Sequence, residues 1–579
     1  MGRHDHPIIV VGGGVGGLTT ALALHRRGLA CRVFEQSPSI RELGVGINTL
    51  PHAIGELQTL DLLERLDAAA VRTYELIYMN RFGQEVWREL RGLDAGHPVP
   101  QFSIHRGVLQ GVLRDAVVER LGEEVIHTNC RLAGFAQDDD GVTATFVDRD
   151  GTQRDPVRGS ALIGADGIHS TVREALVPAE PPPRWNGTML WRGATDWPVF
   201  LTGRSMIIAG GMAAKVVLYP IGAGSDDVHR LTNWAVMVKV GEEGTPPPRR
   251  EDWSRPGRLD EVMPHVARFH VDEVDVPALI ESTPVFWEYP VCDRDPIGRW
   301  SHGRVTLLGD AAHPMYPVGS NGASQAVLDA MRLADELADA GGTTGDVAAA
   351  LARYETARRP PTADIVHSNR QGGPEGVIDA VEGLAPDGFD DVESVLSYAE
   401  REAIVRGYAQ KAGFAVPGTS LTTTTRRTGM TPLSTPDVMA ADASVDGITW
   451  NILGQTYTPK QVTDESFAWH AVFPPETFVP PHIHPTQDEY VLVLDGELTL
   501  FDGEGDSVAT AGDLVRLPRG KPHGLFNRSG QTLTCWFWVT PKAKLYDLFA
   551  GIDAMADQNP DDVVALSARH EVEFLPPPS

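Results

Sequence analysis

Ile8-Ile9-Val10-Val11-Gly12-Gly13-Gly14-Val15-Gly16-Gly17 follows a short polar start, and Leu18, Ala21, Leu22 and Leu24 continue at helical spacing. The apolar run predicts a buried strand, the glycines a tight turn, and the spaced leucines a helix. Gly12, Gly14 and Gly17 fill the pattern G-x-G-x-x-G. In that pattern the first glycine allows the turn, the second admits a pyrophosphate, and the third lets helix and strand pack closely. The helix N-terminus, beginning at Val15, then faces the phosphates with its N–H groups. A second strand, Cys31-Arg32-Val33-Phe34, ends in Glu35, 18 residues after Gly17. A carboxylate at that distance accepts a hydrogen bond from a ribose 2′-OH.

Two later stretches repeat the pattern of a buried strand ending in a Gly/Asp turn. One is Leu162-Ile163-Gly164-Ala165-Asp166-Gly167-Ile168-His169-Ser170, followed by Arg173. The other is Val305-Thr306-Leu307-Leu308-Gly309-Asp310-Ala311-Ala312-His313-Pro314, continuing through Pro317 and Gly319 into a helix. Asp310 at a strand end is placed to hold a ribityl hydroxyl. The helix start at Gly319, Asn321, Gly322 and Ala323 offers backbone N–H groups to the electron-rich edge of an isoalloxazine.

This ordered trio resembles the single-component FAD-dependent aromatic hydroxylases, the p-hydroxybenzoate hydroxylase-like family, over about residues 7–416. The resemblance implies an α/β fold, in which a Rossmann-like FAD domain is interleaved with a β-sheet substrate domain. FAD-binding segments are expected at about 1–80, 104–180 and 290–370, the substrate sheet at about 81–103 and 181–289, and a helical end at 355–416. It also implies that Glu35 and Gln36 meet the adenosine ribose, that the Asp166 motif supports FAD and NAD(P)H, and that Asp310 meets the ribityl chain. His105-Arg106-Gly107 fits the family's helix-borne arginine, which makes Arg106 a flavin contact; Val45 and Leu132 complete the expected cofactor set. The family reads P-x-G-x-x-G-x-N after the Gly-Asp turn, whereas Ser324 stands at the final position here. Gly44-Val45-Gly46-Ile47-Asn48, Trp191-Arg192-Gly193 and Pro317-Val318-Gly319-Ser320-Asn321-Gly322 are similar to the branch of phenazine (pyocyanin) biosynthesis.

The activity so implied is NAD(P)H- and FAD-dependent insertion of one atom of O2 into a small aromatic substrate through a flavin C4a-hydroperoxide. The substrate class is phenolic, aryl carboxylate or phenazine-like, with or without decarboxylation. Trp191, Tyr219, Trp234 and Trp287 are the expected cavity walls. No general base stands out; Arg192, Tyr219, His313 and Pro314 are the catalytic candidates. NADH and NADPH are not distinguished, and no second G-x-G-x-x-G follows a strand. The alternatives are a cupin-centred metal dioxygenase or binding protein with a flavin redox module, and a Baeyer–Villiger-type or dehydrogenating flavoenzyme.

The 579 residues carry a net charge of −28, which argues against nucleic acid or an anionic membrane as partner. No run approaches a membrane span, no signal peptide is read, and the four cysteines form no C-x-x-C pair; a cytoplasmic location is expected. A Thr- and Pro-rich stretch, 417–440, reads as a linker, and alternating apolar runs from 441 onward predict a small all-β domain. Leu545, Leu548, Phe549, Ile552 and Met555 predict a helix packed back on it.

Within that second part, His482-Ile483-His484, Glu489 and Gly496 are followed by Gly512, Pro518, Gly520, His523 and Asn527. This resembles the two motifs of the cupin barrel, departing only where Glu476 replaces an opening glycine. His482 and His484 alternate by two and therefore share a strand face. With Glu489, which the spacing favours over its neighbours Gln487 and Asp488, and His523 they make a three-histidine, one-glutamate set suited to Fe(II), Mn, Ni, Cu or Zn. The cupin is further expected to support a homodimer.

Overall fold

The computed structural model describes residues 6–40, 45–249, 255–340, 347–415 and 444–575, the last without 446–447, 464–465, 504, 554 and 556–557. The chain forms two compact units, Met1–Leu421 and Thr422–Ser579. The expected linker 417–440 and Gly44 lie outside the described residues.

The first unit is organised by a five-stranded parallel sheet in the order Val305–Leu307, Leu162–Gly164, Ile8–Val11, Cys31–Phe34, Ile126–His127. Helix Val15–Arg26 covers one face, and a three-stranded sheet of Arg131–Gln137, Val142–Val147 and Val157–Gly159 covers the other, with Phe146 stacked on Phe34, so the strands read as continuous apolar runs rather than alternating ones. The register is what positions the site. Val11 pairs with Gly164 and Gly164 with Leu307, so all three glycine-rich turns leave the sheet at the same carboxyl edge. Ligands of open parallel sheets bind at that edge.

A seven-stranded sheet stands beside it, in the order Phe286–Asp293, Arg184–Pro198, His229–Lys239, Ala214–Ala223, Ser205–Ala209, Glu75–Met79, Glu85–Leu90. It begins at Glu75 rather than at 81. Glu75–Met79 pairs in parallel with Ser205–Ala209, and its Ile77 and Met79 complete one apolar face of the sheet. Phe102–His105 belongs instead to a small sheet with Gly46–Thr49 and Val71–Arg72. The helical end also starts earlier than 355, with Val347–Arg370, followed by Gly376–Leu384 and Tyr398–Ala412.

Strand alternation then divides the seven-stranded sheet. Met189, Trp191, Val216, Leu218, Trp234 and Val236 pack on one face against Val262, Val266, Leu279 and Ile280 of two short helices. Leu190, Arg192, Val217, Tyr219, Ala235 and Met237 point to the other. Trp191 and Trp234 are therefore core, not cavity wall: each lies one residue out of phase with the face that lines the cavity.

The second unit packs a six-stranded sheet on a five-stranded one. Its core is aromatic: Tyr457, Phe467, Trp469, Phe473 and Phe537. Helices Leu545–Asp553 and Pro560–Arg569 follow, and Leu545, Leu548, Phe549 and Ile552 insert into that core as their spacing predicts. Glu476 adopts φ +65°, the left-handed conformation that a glycine would take without strain. Among the described residues no helix is long and apolar enough to cross a membrane.

Candidate functional site

The three turns and the outer face of the seven-stranded sheet enclose one cavity of about 310 Å³. Gly14, Val15, Arg106, Asp310, Asn321, Gly322 and Ala323 of the expected cofactor set line it, as do Arg192 and Tyr219. A cofactor cradle and an aromatic chamber are thus continuous.

The glycine loop shows why its residue types are needed. A Cβ on Gly17 would lie 1.9 Å from the Gly12 carbonyl oxygen, and one on Gly12 would lie 2.2 Å from that of Ala165. A Cβ on Gly14, by contrast, meets nothing within 4 Å. The first two seal the loop against its own framework, while Gly14 keeps space open at the start of helix Val15–Arg26. No side chain caps that helix, nor the helix Gly322–Asp339 behind Asn321. Their first-turn N–H groups are therefore available to a pyrophosphate and to the carbonyl-bearing edge of a flavin. The donors present fit FAD.

Around this cradle the other expected residues act as braces. Glu35 accepts the Gly13 N–H at 2.8 Å and the Ser37 N–H at 2.8 Å, so it ties the glycine loop to the end of the second strand, beside exposed Gln36. Glu35→Ala is expected to weaken FAD binding about 10- to 100-fold, the effect of one lost charged hydrogen bond; fluorescence titration of the apoprotein measures it. The Val45 carbonyl accepts the Arg106 N–H at 2.9 Å, and Gln110 donates to the Gly13 carbonyl at 2.7 Å. Leu132 is buried in the core opposite Phe146 rather than in the cavity.

Asp166 faces its own helix rather than the cavity. It accepts from the Ser170 hydroxyl, from the Thr171 N–H at 2.8 Å and from the Val172 N–H at 3.2 Å. Burial pushes its pKa up against these bonds. Buried Arg173 carries the link onward, donating to the carbonyls of Ala311 at 3.1 Å and Ala312 at 2.7 Å. The Asp166 motif thus holds the Asp310 turn by way of Arg173.

His313 does not reach the cavity. Its Nε2 lies 2.6 Å from Asp329 Oδ2, which also accepts the Gly309 N–H at 3.0 Å, while Arg358 donates to Oδ1 at 2.7 Å. Burial raises the Asp329 pKa, but His313 and Arg358 outweigh it and hold the carboxyl at about 2. Pro314 lines a side pocket of about 90 Å³ that shares Arg192 and Asp310 with the main cavity. Gly319, at φ +65°, sits against Tyr408. Ser324, where the family has Asn, accepts the Leu50 N–H at 3.1 Å and is fully buried.

Arg192 is the cation on the sheet side of the cavity, which Arg106 also lines. Its guanidinium donates to the Tyr289 hydroxyl at 3.2 Å and to the Gly46 carbonyl, and its Nε–H is buried without a partner. Among the described residues its neighbours are the hydroxyls of Tyr289 and Tyr219 and no carboxylate. Burial pushes the Tyr219 hydroxyl up to about 12, so at neutral pH it is a neutral hydrogen-bonding group and not a base. Trp287 lies opposite Arg192 in register but outside the cavity lining.

In the second unit His482, His484, Glu489 and His523 converge, their ligand atoms all within 4.8 Å of one another. His482 pairs with His523 across adjacent strands of one sheet; Glu489 opens a strand of the other. His482 Nδ1 lies 2.8 Å from the Pro480 carbonyl and His523 Nδ1 lies 3.0 Å from that of Lys521. A carbonyl only accepts, so both Nδ1 atoms carry the proton and both Nε2 lone pairs point inward. His482 and His484 Nε2 are 3.0 Å apart, and Glu489 Oε2 is 3.3 Å from the Nε2 of His484 and of His523. Burial, then the neighbouring imidazoles, hold His482 neutral, the form that ligates metal. The donor set fits a divalent transition ion.

Residues 5–191 and 247–369 match the FAD binding domain family, and residues 469–540 match the cupin domain. The chain belongs to the FAD binding domain family. It is 45% identical over 368 residues to phenazine 1,6-dicarboxylic acid hydroxylase PhzS of Lysobacter antibioticus, covering 63% of this chain and 89% of that protein. It is 32% identical over 381 residues to the 3-hydroxybenzoate 6-hydroxylase of Polaromonas naphthalenivorans, covering 64% and 88% respectively. A salicylate hydroxylase substrate complex shares the fold, with a TM-score of 0.55 at 23% identity over 72% of this chain and 99% of that one. The chain is accordingly an FAD-dependent aromatic monooxygenase joined to a cupin domain.

Several functional positions of this flavin monooxygenase carry no sequence signal of their own. Met206, Ile208, Met237 and Tyr316 line the chamber, yet each reads in sequence as core. Buried Glu375 lies near the Gly319 turn through tertiary contact alone, 56 residues away. Strand parity, once the sheet is known, would have found the first three.

Proposed function

We propose that the flavin unit hydroxylates a carboxylated aromatic ring, of the phenazine or hydroxybenzoate kind, with NADH or NADPH as reductant. The observation that carries this reading is Arg192: a cation with a buried, unpartnered N–H, set in an apolar and aromatic chamber that opens on the flavin cradle. An arginine fork matches a carboxylate geometrically, and a planar ring fits between Leu190, Ile208, Met237 and Tyr289. FAD, when bound, supplies electron transfer from the nicotinamide and activation of O2. The chain's own part is to hold the ring, keep water out and fix its carboxylate. The test is a panel of phenazine carboxylates and hydroxybenzoates, reading stimulated NAD(P)H oxidation and incorporation of labelled oxygen from O2. Stimulation with a product one oxygen richer is expected. NAD(P)H oxidation indifferent to every carboxylated ring would overturn the reading.

The cupin is proposed to bind one divalent transition metal through His482, His484, Glu489 and His523. What supports this is the convergence of three imidazole Nε2 atoms and a Glu489 oxygen within 4.8 Å, with the Nδ1 protons of His482 and His523 turned outward to carbonyls. His484→Ala is expected to remove most of the metal found by elemental analysis, about 10- to 100-fold in affinity or more, while FAD content is unchanged. Equal, sub-stoichiometric metal in both proteins would mean that the cluster holds no metal and that the barrel serves binding or dimerisation instead.

A further inference from the structure

One polar pair on the chamber is used by none of these roles. Lys215 sits on the strand Ala214–Ala223 in phase with Val217 and Tyr219, the residues that face the cavity. It is 2% exposed, and its ammonium pairs with Glu375, which is 3% exposed and lines the same cavity as Arg192. Among the described residues the only other donor to Glu375 is the Gly319 N–H, at 3.3 Å. A carboxylate offers about four lone-pair sites, so acceptor capacity remains on the cavity side. The groups around the pair are Asp379, Tyr408 and Tyr78, none of which donates to Glu375. Burying such a pair brings no clear gain in stability over apolar residues of similar size. Its place on the chamber wall, beside the turn that carries Gly319 and Asn321, calls for a role in binding.

We propose that Glu375, held by Lys215, accepts the hydrogen bond of a ring hydroxyl on the substrate and takes its proton as the ring is oxygenated. The proposal rests on the aromatic-hydroxylase reading above. In the step, the ring O–H bond breaks and an O–H bond forms on Glu375. The electron pair stays on the ring oxygen as phenolate, which makes the ring more nucleophilic. The Lys215 ammonium balances the new anion, and return of the proton to the product restores the starting pair. The substrate would then carry a carboxylate for Arg192 and a hydroxyl for Glu375.

The test compares two probe pairs on the FAD-loaded full chain by calorimetry: 1-hydroxyphenazine against phenazine, and 3-hydroxybenzoate against benzoate. Wild type should favour the hydroxylated member of at least one pair about 10- to 100-fold, the range of a hydrogen bond to a charged acceptor. The double variant Lys215→Met/Glu375→Leu, which leaves no buried unpaired charge, should keep its FAD and lose that preference to within threefold. Glu375→Gln can still accept a hydrogen bond but not a proton. It should bind the probe and yet hydroxylate it about 10²- to 10³-fold more slowly, the usual scale of general-base loss. No preference in wild type, a preference surviving in the double variant, or hydroxylation by Glu375→Gln within threefold of wild type would each overturn the proposal. A preference without any hydroxylated product would instead count against the hydroxylase reading and leave the acceptor site standing.

Discussion

Arg192→Leu is expected to lower kcat/KM for a carboxylated aromatic substrate about 10²- to 10³-fold, because the lost charge-assisted pair lies in a chamber shielded from water. The same ring without its carboxylate should lose far less, since it never used the guanidinium. Arg192→Lys keeps the charge but not the fork; it should fall between the two and show its defect mainly in KM. Steady-state kinetics on matched ring pairs, with FAD content measured alongside, checks this. Equal losses on the carboxylated and uncarboxylated rings would assign Arg192 to holding Gly46 instead.

Asp329→Asn is expected to destabilise the flavin unit by about 3 kcal/mol, because it uncovers two buried partners at once. Asp329 is fully buried and accepts from His313, Arg358 and the Gly309 N–H. The Gly309–Asp310 turn should loosen with it, so FAD release and unfolding are expected to begin at lower temperature. The pH dependence has a definite sign. The folded carboxyl sits at about 2, below its ordinary 3.8, so its contribution is complete above about pH 4 and is lost as pH falls toward 2. The stability gap between wild type and Asp329→Asn should therefore be widest near neutrality and close in acid. Thermal melts followed by flavin fluorescence across that range measure it. A constant gap would show that the charge of Asp329 contributes nothing.

The G-x-G-x-x-G loop, Glu35 and the two Gly/Asp turns were legible in the sequence because local backbone geometry dictates them. A turn whose Cβ would strike a carbonyl at 1.9 Å tolerates only glycine, wherever the rest of the chain goes. The histidine–glutamate cluster of the second unit was legible for a similar reason: a spacing of two places His482 and His484 on one face of any strand. The C-terminal helix was announced by its apolar period. What the residues could not announce was phase and partner. Trp191 and Arg192 are neighbours in sequence and lie on opposite faces of one sheet; only the pairing of Leu190 with Met237 and of Arg192 with Ala235 says which face lines the cavity. A one-residue slip would exchange them. His313 follows Asp310 closely yet turns into the core, because Asp329, on a helix 16 residues on, offers the stronger acceptor. Lys215 and Glu375 are 160 residues apart and meet only once the helical end packs on the sheet. Local sterics and period are written in the chain itself, whereas the side of a sheet and the partner of a buried charge follow from long-range burial, where the whole apolar surface must be satisfied together.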